Sequence, residues 1–154
     1  HGVLVMYDGG RERMRVPYVL GVRQGEAVMY GDGGRISARL PFAGGVLNGV
    51  ARYFGADGRL LRTTTYAGGV EAGETVDYHA SGTIRERAWM VAGKAEGQTV
   101  AYHENGRVQR RQTFRAGKPV GRPELFDERG RRLPSGPDEL PRWKRLVLRI
   151  TKKG

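Results

Sequence analysis

The chain has no cysteine. Disulfide frameworks, thiolate zinc sites and cysteine nucleophiles are therefore excluded together. Long apolar runs are missing too: a membrane-spanning helix needs ~18 such residues, and the longest run here is Val3 to Tyr7. Aromatic residues make up 8% and hydrophobic residues 38% of the chain, while 25 of the 154 residues are glycine. Glycine supplies turns and close backbone approaches but no buried side-chain area, so a thick core is not expected. The length suits a single domain. Acidic residues are outnumbered, 16 against 27 basic ones, for a formal net charge of +11, and lysine is scarce because 22 of the 27 are arginine. Such a balance points to an anionic partner: nucleic acid, an anionic membrane surface or an acidic protein face.

What is present in abundance is repetition. Glycines stand at Gly10, Gly34, Gly58, Gly82, Gly106 and Gly130, every interval being 24 residues. A second register follows at Gly21, Gly45, Gly69, Gly93 and Gly117, and a third at Gly25, Gly49, Gly73, Gly97 and Gly121. Three registers with one period mark a repeat architecture. Four residues before each turn glycine comes Tyr30, Phe54, Tyr78, Tyr102 or Phe126, with Met6 in the first unit. Eight after it comes Tyr18, Phe42, Tyr66, Met90 or Phe114, and two after it Ile36, Leu60, Ile84 or Val108. These even offsets share one face of an extended chain.

The segments "DGG", "ADG", "ASG", "ENG" and "ERG" read as tight hairpin turns, because Gly, Asn and Asp tolerate positive φ. The longer "GGVLNG", "GGVEAG", "AGKAEG" and "AGKPVG" join one hairpin to the next. A lone hairpin is marginal in water and stacked hairpins bury what one cannot. The expected fold is thus all-β: an elongated, twisted antiparallel sheet of about six stacked hairpins, or about twelve strands, over residues 1–133. A short basic segment over 134–154 follows as a cap.

The glycine, the aromatic near the hairpin, "NG" or "DG" before a basic residue, the second aromatic and "GK..G" occur together as Gly97, Tyr102, Asn105, Gly106, Arg107, Phe114, Gly117, Lys118 and Gly121. This skeleton resembles the MORN repeat family, specifically its bacterial variant described as an antitoxin component of toxin-antitoxin systems. The resemblance covers residues 2 to about 133. It departs at Thr83, which replaces the basic residue after the turn, at Met90, which replaces the second aromatic, and in the tail beyond Pro134. It implies a binding module without catalysis or cofactor, acting as an immunity protein that neutralises a secreted toxin or effector, such as one that cleaves phospholipid. The alternative is a peripheral envelope scaffold holding anionic lipid. Nucleic acid is the less favoured partner, and an end-to-end homodimer is compatible with two open sheet edges. The expected location is bacterial and soluble, the periplasm ahead of the cytoplasm.

Candidate site residues come from the residues themselves. Arg11, Arg35, Arg59, Arg107 and Arg131 follow turn glycines, and Arg13, Arg15, Arg39, Arg85, Arg87 and Arg111 share their odd parity. Strict alternation would put all of them on the face opposite the aromatics, as a one-sided basic plate able to grip carboxylates or phosphates with arginine forks. The aromatic column Tyr30, Phe54, Tyr78, Tyr102 and Phe126 is the second candidate surface. His79 and His103, with Asp77 or Glu104 nearby, have no diagnostic metal-ligand spacing. No acid–base or nucleophile constellation stands out. In the tail, Trp143, Leu146, Val147 and Ile150 fit a helical stripe, while Leu146, Leu148 and Ile150 fit a strand.

Overall fold

The computed structural model describes residues 1–140. They form one antiparallel sheet whose strands follow one another in chain order, three short ones lying off that path. The strands are β1 (Gly2–Asp8), β2 (Arg11–Val19), β3 (Val22–Arg23), β4 (Gly25–Tyr30), β5 (Ile36–Ala43), β6 (Val46–Leu47), β7 (Gly49–Phe54), β8 (Leu60–Ala67), β9 (Val70–Tyr78), β10 (Ile84–Val91), β11 (Lys94–Ala95), β12 (Gly97–Tyr102), β13 (Val108–Arg115), β14 (Lys118–Phe126) and β15 (Arg132–Leu133). Twelve of them follow one another across the sheet, as the hairpin periodicity requires, and the two-residue strands β3, β6 and β11 fold back on β2, β5 and β10. The one helical feature among the described residues is a 3₁₀ turn at Pro137–Glu139. The alternation proposed for Leu146 to Ile150 and the helical stripe beginning at Trp143 lie outside the described residues.

Two kinds of turn close the hairpins, one at each rim. At the first rim Gly34 N–H donates to the Gly31 carbonyl at 2.9 Å and Gly31 N–H donates to the Arg35 carbonyl at 2.9 Å. This is a type I turn followed by one left-handed residue. The same bonds recur with Gly55 and Gly58, His79 and Gly82, His103 and Gly106, and Asp127 and Gly130. Only the glycine takes positive φ, 71° to 87° in these five turns. Asp57 and Asn105 serve differently: their side-chain oxygens accept the N–H of Arg59 and Arg107, each at 3.0 Å.

At the opposite rim the second glycine register closes two-residue turns with positive φ at both positions: Leu20–Gly21, Gly44–Gly45, Gly68–Gly69, Ala92–Gly93 and Ala116–Gly117. These are type I′ turns, whose twist matches that of the flanking strands. The segments expected to be longer connectors are therefore as tight as the others. Each such turn is also bonded to the one before it: Gly45 to Arg23, Gly69 to Leu47, Gly93 to Glu71 and Gly117 to Ala95, by N–H to carbonyl bonds of 2.8 to 3.0 Å. The third register has positive φ too, 112° at Gly49, where a β-carbon would come within 3.4 Å of the Pro41 ring.

Burial is shallow because the sheet is one layer thick. Val16, Ala27 and Phe42 form the core cluster, with Met14, Tyr18, Leu40 and Leu47 packed around it. Beyond it the covered positions are mostly small, Ala38, Ala51, Ala101, Thr64 and Thr99, with Val76 and Gln112 the larger ones.

Strict alternation fails at the same place in each of the first five hairpins, and β8–β9 and β13–β14 carry a further irregularity near their opposite ends. Met29 pairs with Ala38 but Tyr30 pairs with Ile36, leaving Ser37 unmatched. The same one-residue bulge leaves Arg13, Leu61, Arg85 and Gln109 unmatched, at 24-residue intervals. A bulge resets which way the following residues point. Tyr30, Phe54, Tyr78, Tyr102 and Phe126 consequently lie on the face opposite Tyr18, Phe42, Tyr66, Met90 and Phe114, correcting the single apolar face expected from parity. In the first unit a shorter turn at Gly9–Gly10 brings Tyr7, rather than Met6, opposite Glu12 into the place of Tyr30.

Alanine at φ 50° is strained, whereas asparagine before glycine suits a type I′ turn. Ala92→Asn and Ala116→Asn together should raise stability by about 1 kcal/mol and the unfolding midpoint by about 2–4 °C. Gly49→Ala should lower stability by about 2 kcal/mol, because it forces a β-carbon into left-handed backbone beside Pro41. Thermal unfolding of the three proteins checks both signs.

Candidate binding face

The bulge assembles a surface that alternation keeps apart. Directly paired residues share a face, and one line of pairs runs through Arg15, Val28, Arg39, Arg52, Thr63, Val76, Arg87, Val100, Arg111 and Glu124, one residue from each of ten strands. At ~4.8 Å per strand this arginine row is about 40 Å long. Two positions along each strand lies the aromatic row: Tyr30 with Ile36, Phe54 with Leu60, Tyr78 with Ile84, and Tyr102 with Val108, all half-buried. Phe126 ends the row opposite Arg132. The two rows touch where the Arg111 guanidinium lies 5.3 Å over the Phe126 ring.

Several arginines of the row have carboxylate neighbours. Glu26 holds Arg39 at 2.5 Å and Glu12 holds Arg15 at 2.9 Å, whereas Glu74 and Glu124 stand 3.8 and 3.9 Å from Arg87 and Arg111. Arg52 has no ion-pair partner among the described residues, yet it sits directly opposite Arg39. Like charges at directly opposed positions are destabilising. An even-numbered residue, Arg52 was not among the sequence candidates; its charge interrupting the run Val50, Arg52, Phe54 was the available signal.

The sequence candidates divide into three groups. Arg39, Arg87 and Arg111 stand in the row, on the same face as all five members of the aromatic column. Arg11, Arg35, Arg59 and Arg107 do not form a plate: each reaches along the rim and donates from Nη1 to a carbonyl of the next turn, those of Asp32, Ala56, Ala80 and Glu128, at 3.1, 3.5, 2.7 and 3.5 Å. Arg131 instead grips Asp127 of its own turn at 2.7 Å. Arg85, as the unmatched bulge residue, points to the other face, 3.7 Å from Asp77. His79 and His103 belong to the rim as well, their Nε2–H groups donating to the Tyr102 and Phe126 carbonyls, both at 2.9 Å.

The opposite face carries an open depression of about 410 Å³ among Tyr53, Leu61, Arg62, Thr64, Tyr66, Glu71, Asp77, Tyr78 and Arg85. Its charges satisfy one another. Arg62 binds Asp77 through two bonds of 2.6 and 3.0 Å, which raise the arginine's pKa further, and Arg110 binds Glu86 at 2.7 Å. The Tyr66 hydroxyl, 3.2 Å from that of Tyr53, donates to Glu71 at 3.4 Å. Burial first, then Tyr53, holds the Tyr66 phenol protonated well above its usual range.

No model of a known protein family matches the chain, and neither does any curated protein. Among solved structures, accessory secretory protein 1, 2 and 3 of Streptococcus pneumoniae is similar at 16% identity and a TM-score of 0.26, over 80% of this chain and 18% of that one.

Removing Arg52 relieves repulsion, so Arg52→Ser should leave stability unchanged or raise it by about 0.5 kcal/mol. Asp77→Ala strands two arginines on a carboxylate site only 13% exposed and should cost about 1–2 kcal/mol. Denaturant titration distinguishes them. In the last hairpin the Arg131 backbone N–H, followed by its guanidinium, holds the Asp127 carboxyl below its ordinary 3.8. A carboxyl with a lowered folded pKa contributes stability above the unfolded value and loses it as pH falls through the folded one. The difference in melting temperature between the parent and Asp127→Asn should therefore shrink on acidification below about pH 4.

Proposed function

We propose that the chain is a non-catalytic binding module whose paired arginine and aromatic rows hold an acidic protein partner. The observation that carries this reading is Arg52, which stands in the middle of the row with no ion-pair partner among the described residues while the arginine opposite it is held by Glu26, so that an incoming carboxylate has a cation to pair with. The aromatic row beside it supplies rigid apolar contact area. A row of about 40 Å suits an elongated segment laid across the strands. Arginine charge steers such a partner in and aromatic contact retains it. In line with the resemblance to bacterial MORN repeat proteins, the partner is a toxin or effector that the chain neutralises by occupying its surface.

The test is capture from lysate of the source organism by the parent chain and by the double variant Arg52→Glu, Arg87→Glu. One dominant protein retained by the parent at high salt and lost by the variant is the expected result, followed by inhibition of that protein's activity on addition of the chain. Retention unaffected by the double variant would move the binding site elsewhere. Capture of anionic phospholipid vesicles alone, released as salt rises, would replace this reading with that of an envelope scaffold.

A further inference from the structure

We infer that the depression on the face opposite the arginine row is a saccharide site, which holds a neutral, hydroxyl-rich ring. At about 410 Å³ it lies within the ~300–1,000 Å³ of small-molecule sites. The repeat shows that the fold does not require its polar lining. Twenty-four residues before Tyr53, Arg62, Thr64, Tyr66 and Glu71 stand Met29, Ala38, Leu40, Phe42 and Leu47. Phe42 is in the core cluster, and Leu40 and Leu47 pack against it. Every exchange thus adds a polar group where an apolar residue serves the same sheet. Twenty-four residues further on the set has gone, since Ala88, Met90 and Ala95 take the places of Thr64, Tyr66 and Glu71.

The lining decides the chemistry of the ligand. The carboxylates of Glu71 and Asp77 balance the guanidinium groups of Arg62 and Arg85, so an ion of either sign meets its own charge there. Their hydrogen-bonding capacity is not used up. The Glu71 carboxylate accepts from Tyr66 at 3.4 Å and has no ion-pair partner among the described residues. The Arg85 guanidinium stands 3.7 Å from Asp77 and makes no hydrogen bond among the described residues. A carboxylate only accepts and a guanidinium only donates, so the ligand must donate and accept without carrying charge, as hydroxyls do.

The tyrosines supply the remaining element. Their hydroxyls are tied to each other at 3.2 Å and to Glu71, which leaves the rings as apolar surface for the C–H face of a sugar. A peptide also donates and accepts, but its backbone joins a sheet at an open strand edge. Here β7, β8, β9 and β10 each have strands on both sides.

An array of neutral and acidic oligosaccharides probed with the labelled 154-residue chain tests this. Retention of neutral glycans is expected, and raising the salt concentration should leave it unchanged because no charge pair forms with the ligand. Glu71→Leu and Arg85→Ser each have a precedent in the second unit, at Leu47 and Ser37. Each should lower glycan retention by about tenfold or more through loss of a charge-assisted hydrogen bond, with thermal unfolding close to that of the parent. An array that retains no neutral glycan, retention confined to acidic glycans and lost as salt rises, or retention indifferent to both substitutions would each overturn the inference.

Discussion

A sheet one layer thick has no second layer to press its strands together, so they must be held by their ends. Here both rims are bonded. Backbone bonds from Gly45, Gly69, Gly93 and Gly117 tie each turn to the one before along one rim, and side chains of Arg11, Arg35, Arg59, His79, His103 and Arg107 do the same along the other. Positive φ at the glycines is the precondition, since a turn that opened or twisted the other way would break contact with its neighbour. The small set of buried side chains is a result of this arrangement: once the ends fix the register, a few residues, mostly alanine and threonine, suffice between them.

The same economy separates the two faces. The core face keeps its charges in pairs, Arg62 with Asp77 and Arg110 with Glu86, and its one sizeable apolar cluster lies near the first two hairpins. The other face holds arginines in a line that includes Arg52, which has no ion-pair partner among the described residues. Rim arginines tie turn to turn, Arg62 and Arg110 on the core face are held by carboxylates, and in the row Arg52 stands without an ion-pair partner among the described residues.

Much of this was legible in the chain. Three glycine registers located both sets of turns, and Ile36, Leu60, Ile84 and Val108 between them read correctly as strand positions. What escaped was the orientation of half of every hairpin. A bulge adds a residue without changing the distance between glycines, and the unmatched positions Arg13, Ser37, Leu61, Arg85 and Gln109 have no residue type common to them all. The trace it left was charge at Arg62, Glu86 and Arg110, inside what strict alternation treats as an apolar file. The turn arginines misled for a related reason: a residue at the end of a hairpin belongs to neither face, and parity does not describe it.

Because the backbone rim bonds and the bulge recur every 24 residues, the sheet grows in steps of one size. A duplicated or deleted block of 24 residues leaves all remaining contacts in phase, while a change of any other length throws a turn out of line with the turns beside it. Each such step lengthens both rows by two strands, about 10 Å. The span over which this surface can follow a partner is therefore set by a count of units, so that reach can be altered without redesigning a single contact.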